Sequence, residues 1–167
     1  PTFGSPNVRQ PVGDQRRLKI NEWLALSANN AAPDFVEIFN PDALPVDLGG
    51  LFVSDAPQGS PGRSPIPPLS FVAGRGFLVL LADGHPEAGG DHLAFRLSAD
   101  QGQIGLFAAD LSLIDCVFYG SQSPDVSEGR TPSGADAFAL FPQPTPGAPN
   151  PGNGGDCTVT TTQLNLL

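Results

Sequence analysis

The chain has 167 residues and a formal net charge of −9, and Lys19 is its one lysine. A surface so poor in cations cannot neutralise phosphates, which excludes nucleic acid and anionic membranes as partners held by charge; a solvated acidic surface that maintains solubility is the ordinary reading. Gly and Pro number 20 and 19, near the level at which unperiodic composition suggests disorder, yet they cluster between short apolar runs as turns do in an all-β protein.

The length suits one ordinary domain with tails. The longest apolar run, residues 77–82, is far too short to cross a bilayer, so membrane insertion is not expected. The first residues hold neither an initiator Met nor a basic-then-apolar signal, and the expectation is that the chain begins inside a longer precursor. The lack of Met and the scarcity of Lys fit a secreted bacterial-type protein.

Residues 1–17 are polar, Pro-rich and without period, as in a linker. Their first seven, Pro-Thr-Phe-Gly-Ser-Pro-Asn, match residues 144–150, Pro-Thr-Pro-Gly-Ala-Pro-Asn, at Pro, Thr, Gly, Pro and Asn. Either this is a chance likeness of short Pro-rich pieces, or residues 1–7 end a preceding copy of the same domain. The domain proper spans 18–150. Strands are predicted over 18–26, over 35–39 with Phe35, Glu37 and Phe39 on one face and Val36 and Ile38 on the other, and over 46–54 with a bend at Gly49-Gly50. A loop with five prolines follows over 56–68, and residues 69–72 lead out of it. The continuous apolar run 77–81 reads as a central strand covered on both faces. Further strands are predicted over 93–97, over 103–108 and 111–119 as a hairpin through Ala109-Asp110, over 125–130, and over 137–141. Eight or nine short strands at this spacing, with no helical stripe, make a sandwich or barrel. Residues 151–156 form a hinge, and 157–167, rich in β-branched residues, make a strand without an obvious partner.

Several of these pieces carry a family likeness. Ile20-Asn21-Glu22-Trp23-Leu24-Ala25, Asp34-Phe35-Val36-Glu37-Ile38-Phe39-Asn40-Pro41, Val46-Asp47-Leu48-Gly49-Gly50-Leu51 and Ser54-Asp55 come in order. They are followed by Ala94-Phe95-Arg96-Leu97-Ser98, Ile104-Gly105-Leu106-Phe107, Ile114-Asp115, Ser127-Glu128-Gly129-Arg130 and the closing Pro-Thr-Pro-Gly-Ala-Pro-Asn. From about residue 18 to 150 the chain resembles a bacterial lamin tail domain. The resemblance implies an immunoglobulin-like β-sandwich without catalytic residues, of a kind appended to secreted or surface proteins, sometimes beside nucleases, phosphatases or spore-coat-kinase-like domains. The chromatin role of the animal relatives is not carried over, since this chain is acidic and has no heptads.

Residues that look like chemistry are few. Asp83, His85, Glu87, Asp91 and His92 are suitable zinc or calcium ligands within ten residues, but they lack the spacing of a zinc site or the acidic periodicity of a calcium loop, and a solvated loop is the default. No nucleophile elbow or phosphate-cradling loop occurs, and both histidines share one loop, so no enzyme activity and no cofactor are expected. Glu37, an acid inside a strand, needs a partner, and Arg130 is the expected counter-charge in a cross-strand pair, with Glu22 the competing acid. Cys116 and Cys157 are compatible with one disulfide, while a buried free thiol at Cys116 is the alternative. The terminal segment, with Thr158, Val159, Thr160, Leu164 and Leu166, either folds back on its own sheet edge or adds to a neighbour. Expected partners are therefore neighbouring domains or subunits of the same protein, at the cell surface or outside the cell. The function expected is a structural or assembly module; the alternative is an accessory module that positions a catalytic domain on a polymer or cell wall.

Overall fold

Val36 and Ile38 alternate with Phe35, Glu37 and Phe39, and this period of two makes the strand on which the fold is built. The computed structural model describes residues 11–28 and 33–152, in eleven strands and one 3₁₀ turn, Gln15–Arg17. The strands are β1 (Lys19–Leu24), β2 (Phe35–Phe39), β3 (Val46–Asp47), β4 (Phe52–Ser54), β5 (Ser64–Pro65), β6 (Phe71–Val72), β7 (Phe77–Leu81), β8 (Gly102–Phe107), β9 (Leu113–Tyr119), β10 (Ser127–Arg130) and β11 (Phe138–Phe141). Sheet I has the order β11-β10-β1-β2-β7, sheet II has β5-β4-β8-β9, and β3 and β6 form a ribbon. All named pairs are antiparallel.

The protein is an all-β sandwich. Ile20, Trp23, Val36, Ile38 and Leu80 of sheet I share one core with Val53, Ile104, Leu106, Val117 and Tyr119 of sheet II. Trp23 is wholly buried, with its ring 5.9 Å from both Tyr119 and Phe138. A β-bulge sets the register of β1: Ile20 pairs with Ile38, but Glu22, not Asn21, pairs with Glu37. The extra residue returns Trp23 to the core face that Ile20 also occupies, and leaves Asn21 free to serve something other than the ladder.

Several expectations need correcting. The predicted strand 46–54 is broken into β3 and β4, because Gly50 takes φ +80° at a turn closed by Leu51 N–H donating to the Leu48 carbonyl. The Pro-rich loop contributes the two-residue strand β5, and the residues leading out of it contribute β6; both are too short to carry an alternating pattern, and the total rises accordingly. Residues 93–97 alternate as expected, with Leu93, Phe95 and Leu97 in the core, but they meet β7 and its end only through the isolated bridges Leu81–His92 and Asp83–Arg96. The apolar run β7 is not central. It ends sheet I, with Phe77 stacked on Phe39 at 4.8 Å, and its residues other than Leu80 are half-buried. The strand buried along its whole length is β2.

Residues 11–17, read from the sequence as linker, lie against the domain. Gly13 N–H donates to the Pro45 carbonyl (2.8 Å), Gln15 Nε2 to the Asp47 carbonyl (2.6 Å), and Arg17 pairs with Asp42 (2.8 Å). The heptapeptide at residues 1–7 lies outside the described residues. Past β11 the chain returns over the outer face of sheet I, and this return builds the candidate site.

Candidate functional site

Glu22 and Glu37 face each other across β1 and β2, and both are 0% exposed. Buried carboxylates need donors, and here the donors come from the end of the domain. Ser127 Oγ and Thr145 N–H donate to Glu22 Oε1, and Thr145 Oγ1 donates to Oε2 at 2.8 Å. Gly147 N–H donates to Glu37 Oε2 at 2.6 Å, from a φ of +81° that favours glycine. The bulged Asn21 completes the set: its Nδ2 donates to Glu37 Oε1 at 2.8 Å, and its Oδ1 accepts from Gly134 N–H at 2.9 Å. Asn150 ties the end down, donating through Nδ2 to the carbonyls of Arg130 (2.8 Å) and Asn21 (3.2 Å). Gly129 lies beneath it, where a Cβ would stand 2.5 Å from the Asn21 carbonyl oxygen.

Burial pushes the Glu37 carboxyl up to about 7, and Glu22 adds to the rise, against the downward pull of the Asn21 and Gly147 donors. Among the described residues the network holds two acids together without a cation, at a cost that the donors only partly offset. Replacing Asn150 by Ala is expected to destabilise the fold by roughly 1–3 kcal/mol, because two buried carbonyls lose their donor. Asn150→Asp, which keeps the shape, is expected to lose at least as much. Urea unfolding measures the loss, and faster hydrogen exchange at the Gly147 amide locates it.

The expected Glu37–Arg130 pair does not form. Alternation puts Glu37 on the outer face of sheet I, whereas Arg130 points inward and meets Asp115 of β9, in the opposite sheet. Arg130 Nη2 donates to both Asp115 oxygens (3.2 and 3.0 Å), Nη1 to the Ala135 carbonyl (2.6 Å), and the guanidinium lies 4.8 Å from the centre of the Phe138 ring. Arg130 Nε donates to the Ile20 carbonyl (2.8 Å), while Ile20 N–H donates to Asp115 Oδ2 (2.8 Å). The ion pair thus satisfies both backbone groups of the residue just before the bulge, and it bridges the two sheets.

No family model, curated protein or solved structure matches this chain. The remaining sites rest on geometry alone. In the loop after β7, His92 Nδ1 lies 2.7 Å from Asp83 Oδ2, and His85 Nδ1 lies 3.0 Å from Glu87 Oε1. Asp91 stands 3.9 Å from His92 Nε2. No group of three metal-binding side chains assembles among the described residues. Contacts with His92 and His85 hold the Asp83 carboxyl below its usual range, against burial, and the same loop holds Glu87 low.

Cys116 is half-buried on the outer face of β9, with its thiol pushed up by burial and then by Asp115. It has no disulfide partner among the described residues. Cys157, Thr158, Val159, Thr160, Leu164 and Leu166 lie outside the described residues. Around Cys116, the outer face of sheet II carries a shallow apolar groove of ≈250 Å³, bordered by Leu113 and Phe118, which are 54% and 71% exposed.

The sequence reading missed Asn21, Asp115, Thr145 and Asn150 as partners. Two of them carried a signal: Asn21 breaks the alternation of β1, and Asp115 is the one charge in the apolar run Leu-Ile-Asp-Cys-Val-Phe-Tyr. Thr145 and Asn150 sit in a Pro-Gly-rich segment whose use follows only from where the chain returns.

Proposed function

We propose that this chain is a non-catalytic structural module of an exported protein, spacing or anchoring neighbouring domains at the cell surface. The observation that carries this reading is the use of Glu22 and Glu37. A pair of adjacent carboxylates is a familiar acid–base arrangement, yet here both are buried and bonded to the segment that closes the domain. The other prominent charges, Arg130 and Asp115, are spent on the bulge and on joining the sheets. The polar residues of the lamin-tail-like motifs, Asn21, Glu22, Glu37, Arg130, Thr145 and Asn150, thus meet in two linked clusters. This supports kinship with the immunoglobulin-like lamin tail family and a structural role for its motifs. The acidic, Lys-poor composition supports export. Joining of neighbours by the terminal segment belongs to the same reading.

One observation favours the accessory binding module instead: exposed Phe118 bordering the groove on sheet II. Cosedimentation with purified cell wall and with insoluble polysaccharides separates the two. The structural reading expects the protein in the supernatant; salt-resistant retention on a polymer, lost in Phe118→Ala, would establish the binding module.

A further inference from the structure

Residues 144–150, Pro-Thr-Pro-Gly-Ala-Pro-Asn, bind the acid cluster on the outer face of sheet I through three of their positions. Thr145 donates through N–H and Oγ1 to Glu22, and Gly147 N–H donates to Glu37. Asn150 reaches the carbonyls of Asn21 and Arg130, and its N–H donates to Ser133 Oγ at 2.8 Å. Ala148 N–H donates to the Thr145 carbonyl (3.0 Å), closing a turn whose third residue is Gly147 at φ +81°. A type II turn requires such a positive φ there. Pro146 and Ala148, by contrast, are exposed. Residues 1–7, Pro-Thr-Phe-Gly-Ser-Pro-Asn, repeat the pattern in sequence. Thr2, Gly4 and Asn7 match Thr145, Gly147 and Asn150, while the two differences, Phe3 and Ser5, fall where Pro146 and Ala148 are exposed. A chance likeness gives no reason for the agreement to follow the bonded positions.

We infer that the Glu22–Glu37 face of sheet I is a recognition site for a Thr-x-Gly-x-Pro-Asn segment, filled by the chain's own residues 144–150 and open, by exchange, to such a segment of a second copy. This recognition presupposes the structural reading given above, and it supplies the face and the sequence by which neighbours join. Each chain carries the recognised sequence twice, against one acid cluster among the described residues, so one segment is in surplus. Exchange replaces each hydrogen bond by its equivalent, as when copies swap an identical element, and its cost is chiefly the entropy of association. The chain's own segment keeps the advantage of its tether, at an effective concentration in the millimolar range. Exchange therefore grows as copies are crowded together. Phe3 lacks the fixed φ of Pro146, so a segment with Phe at that place binds more weakly than one with Pro.

The test adds the synthetic peptide Pro-Thr-Phe-Gly-Ser-Pro-Asn to the full chain carrying Asn150→Ala, whose own segment is weakened. At about ten times its Kd the peptide is expected to raise the melting temperature by roughly 3–5 °C. Peptides with Ala in place of the Gly or the Asn are expected to leave it unchanged. The unaltered chain should respond less than the variant, because its own segment competes. Where Asn150→Ala does not fold, Thr145→Val takes its place. Light scattering over rising concentration then compares the unaltered chain with Thr2→Val/Asn7→Ala, and only the unaltered chain is expected to gain mass. Equal shifts from all three peptides, or none from any, would overturn the recognition site and leave the structural reading standing, with residues 144–150 a fixed part of their own domain. Equal mass in the two chains would overturn supply by a second copy. Polymer retention in the sedimentation test would instead remove the structural reading without touching peptide recognition.

Discussion

Asp115→Ala is expected to cost roughly 3–5 kcal/mol, the loss typical of breaking a buried ion pair from one side. Arg130 is 5% exposed and Asp115 10%. Without Asp115 the guanidinium stays buried, bonded to the Ile20 and Ala135 carbonyls but without a close buried counter-charge. Asp136, 3.6 Å away, is fully exposed and screened by water. The Ile20 N–H loses its acceptor as well, at the bulge where the ladder offers no replacement. Arg130→Ala is expected to lose a similar amount from the other side, since it strips the Ile20 carbonyl of its donor. The double variant should lose less than the sum, because the two residues serve one unit. Chemical denaturation of the three variants gives the cycle. A loss under about 1 kcal/mol for Asp115→Ala, as for an exposed pair, would show that the sheets are not joined here.

The same pair shows where the sequence was legible and where it was not. Alternation placed β2 and its two faces correctly, and it found β7, the β8–β9 hairpin and β11, because period two survives whichever neighbour a strand has. It also marked Glu37 as a residue in need of a partner and offered Arg130 as the counter-charge. It did not pair them correctly, since partner choice depends on which sheet each strand joins and which way a bulge turns the chain. Glu37 and Arg130 lie on opposite faces of sheet I, a relation that strand order and the bulge at Asn21 determine. The apolar run of β7 misled for a related reason. Continuous hydrophobicity suggests a strand flanked on both sides, but β7 pairs with β2 alone and meets only the isolated bridges of the following loop on its other edge, so most of its residues stay half-buried. The closing segment was recognisable as a motif; the acids it binds, some 110–125 residues earlier in the chain, were not recognisable as its partners.

Stability is expected to fall as pH rises from about 4.5 to above 7, the reverse of the usual acid sensitivity of carboxylates. Glu37 ionises near 4.5 when unfolded and at about 7 when folded. The folded protein therefore binds the extra proton within that window, and ionising the buried acid above it favours unfolding. A rise of this size corresponds to roughly 3 kcal/mol, fully present below pH 4.5 and lost as pH passes 7. Asp34, also raised by burial, acts in the same direction. Asp83, Glu87 and Asp110 are held low and act in the opposite direction, but only as pH falls below the ordinary carboxylate range. Glu37→Gln isolates the group. The amide cannot ionise, so the slope between pH 5 and 8 should flatten relative to the wild type. Its NH₂ must face either Gly147 N–H or Asn21 Nδ2, both donors, so the variant should also be less stable than the wild type at pH 5. Urea unfolding at both pH values measures the two effects together. Equal wild-type stability at pH 5 and pH 8, with an unchanged slope in Glu37→Gln, would mean that the Asn21 and Gly147 donors fully compensate the burial.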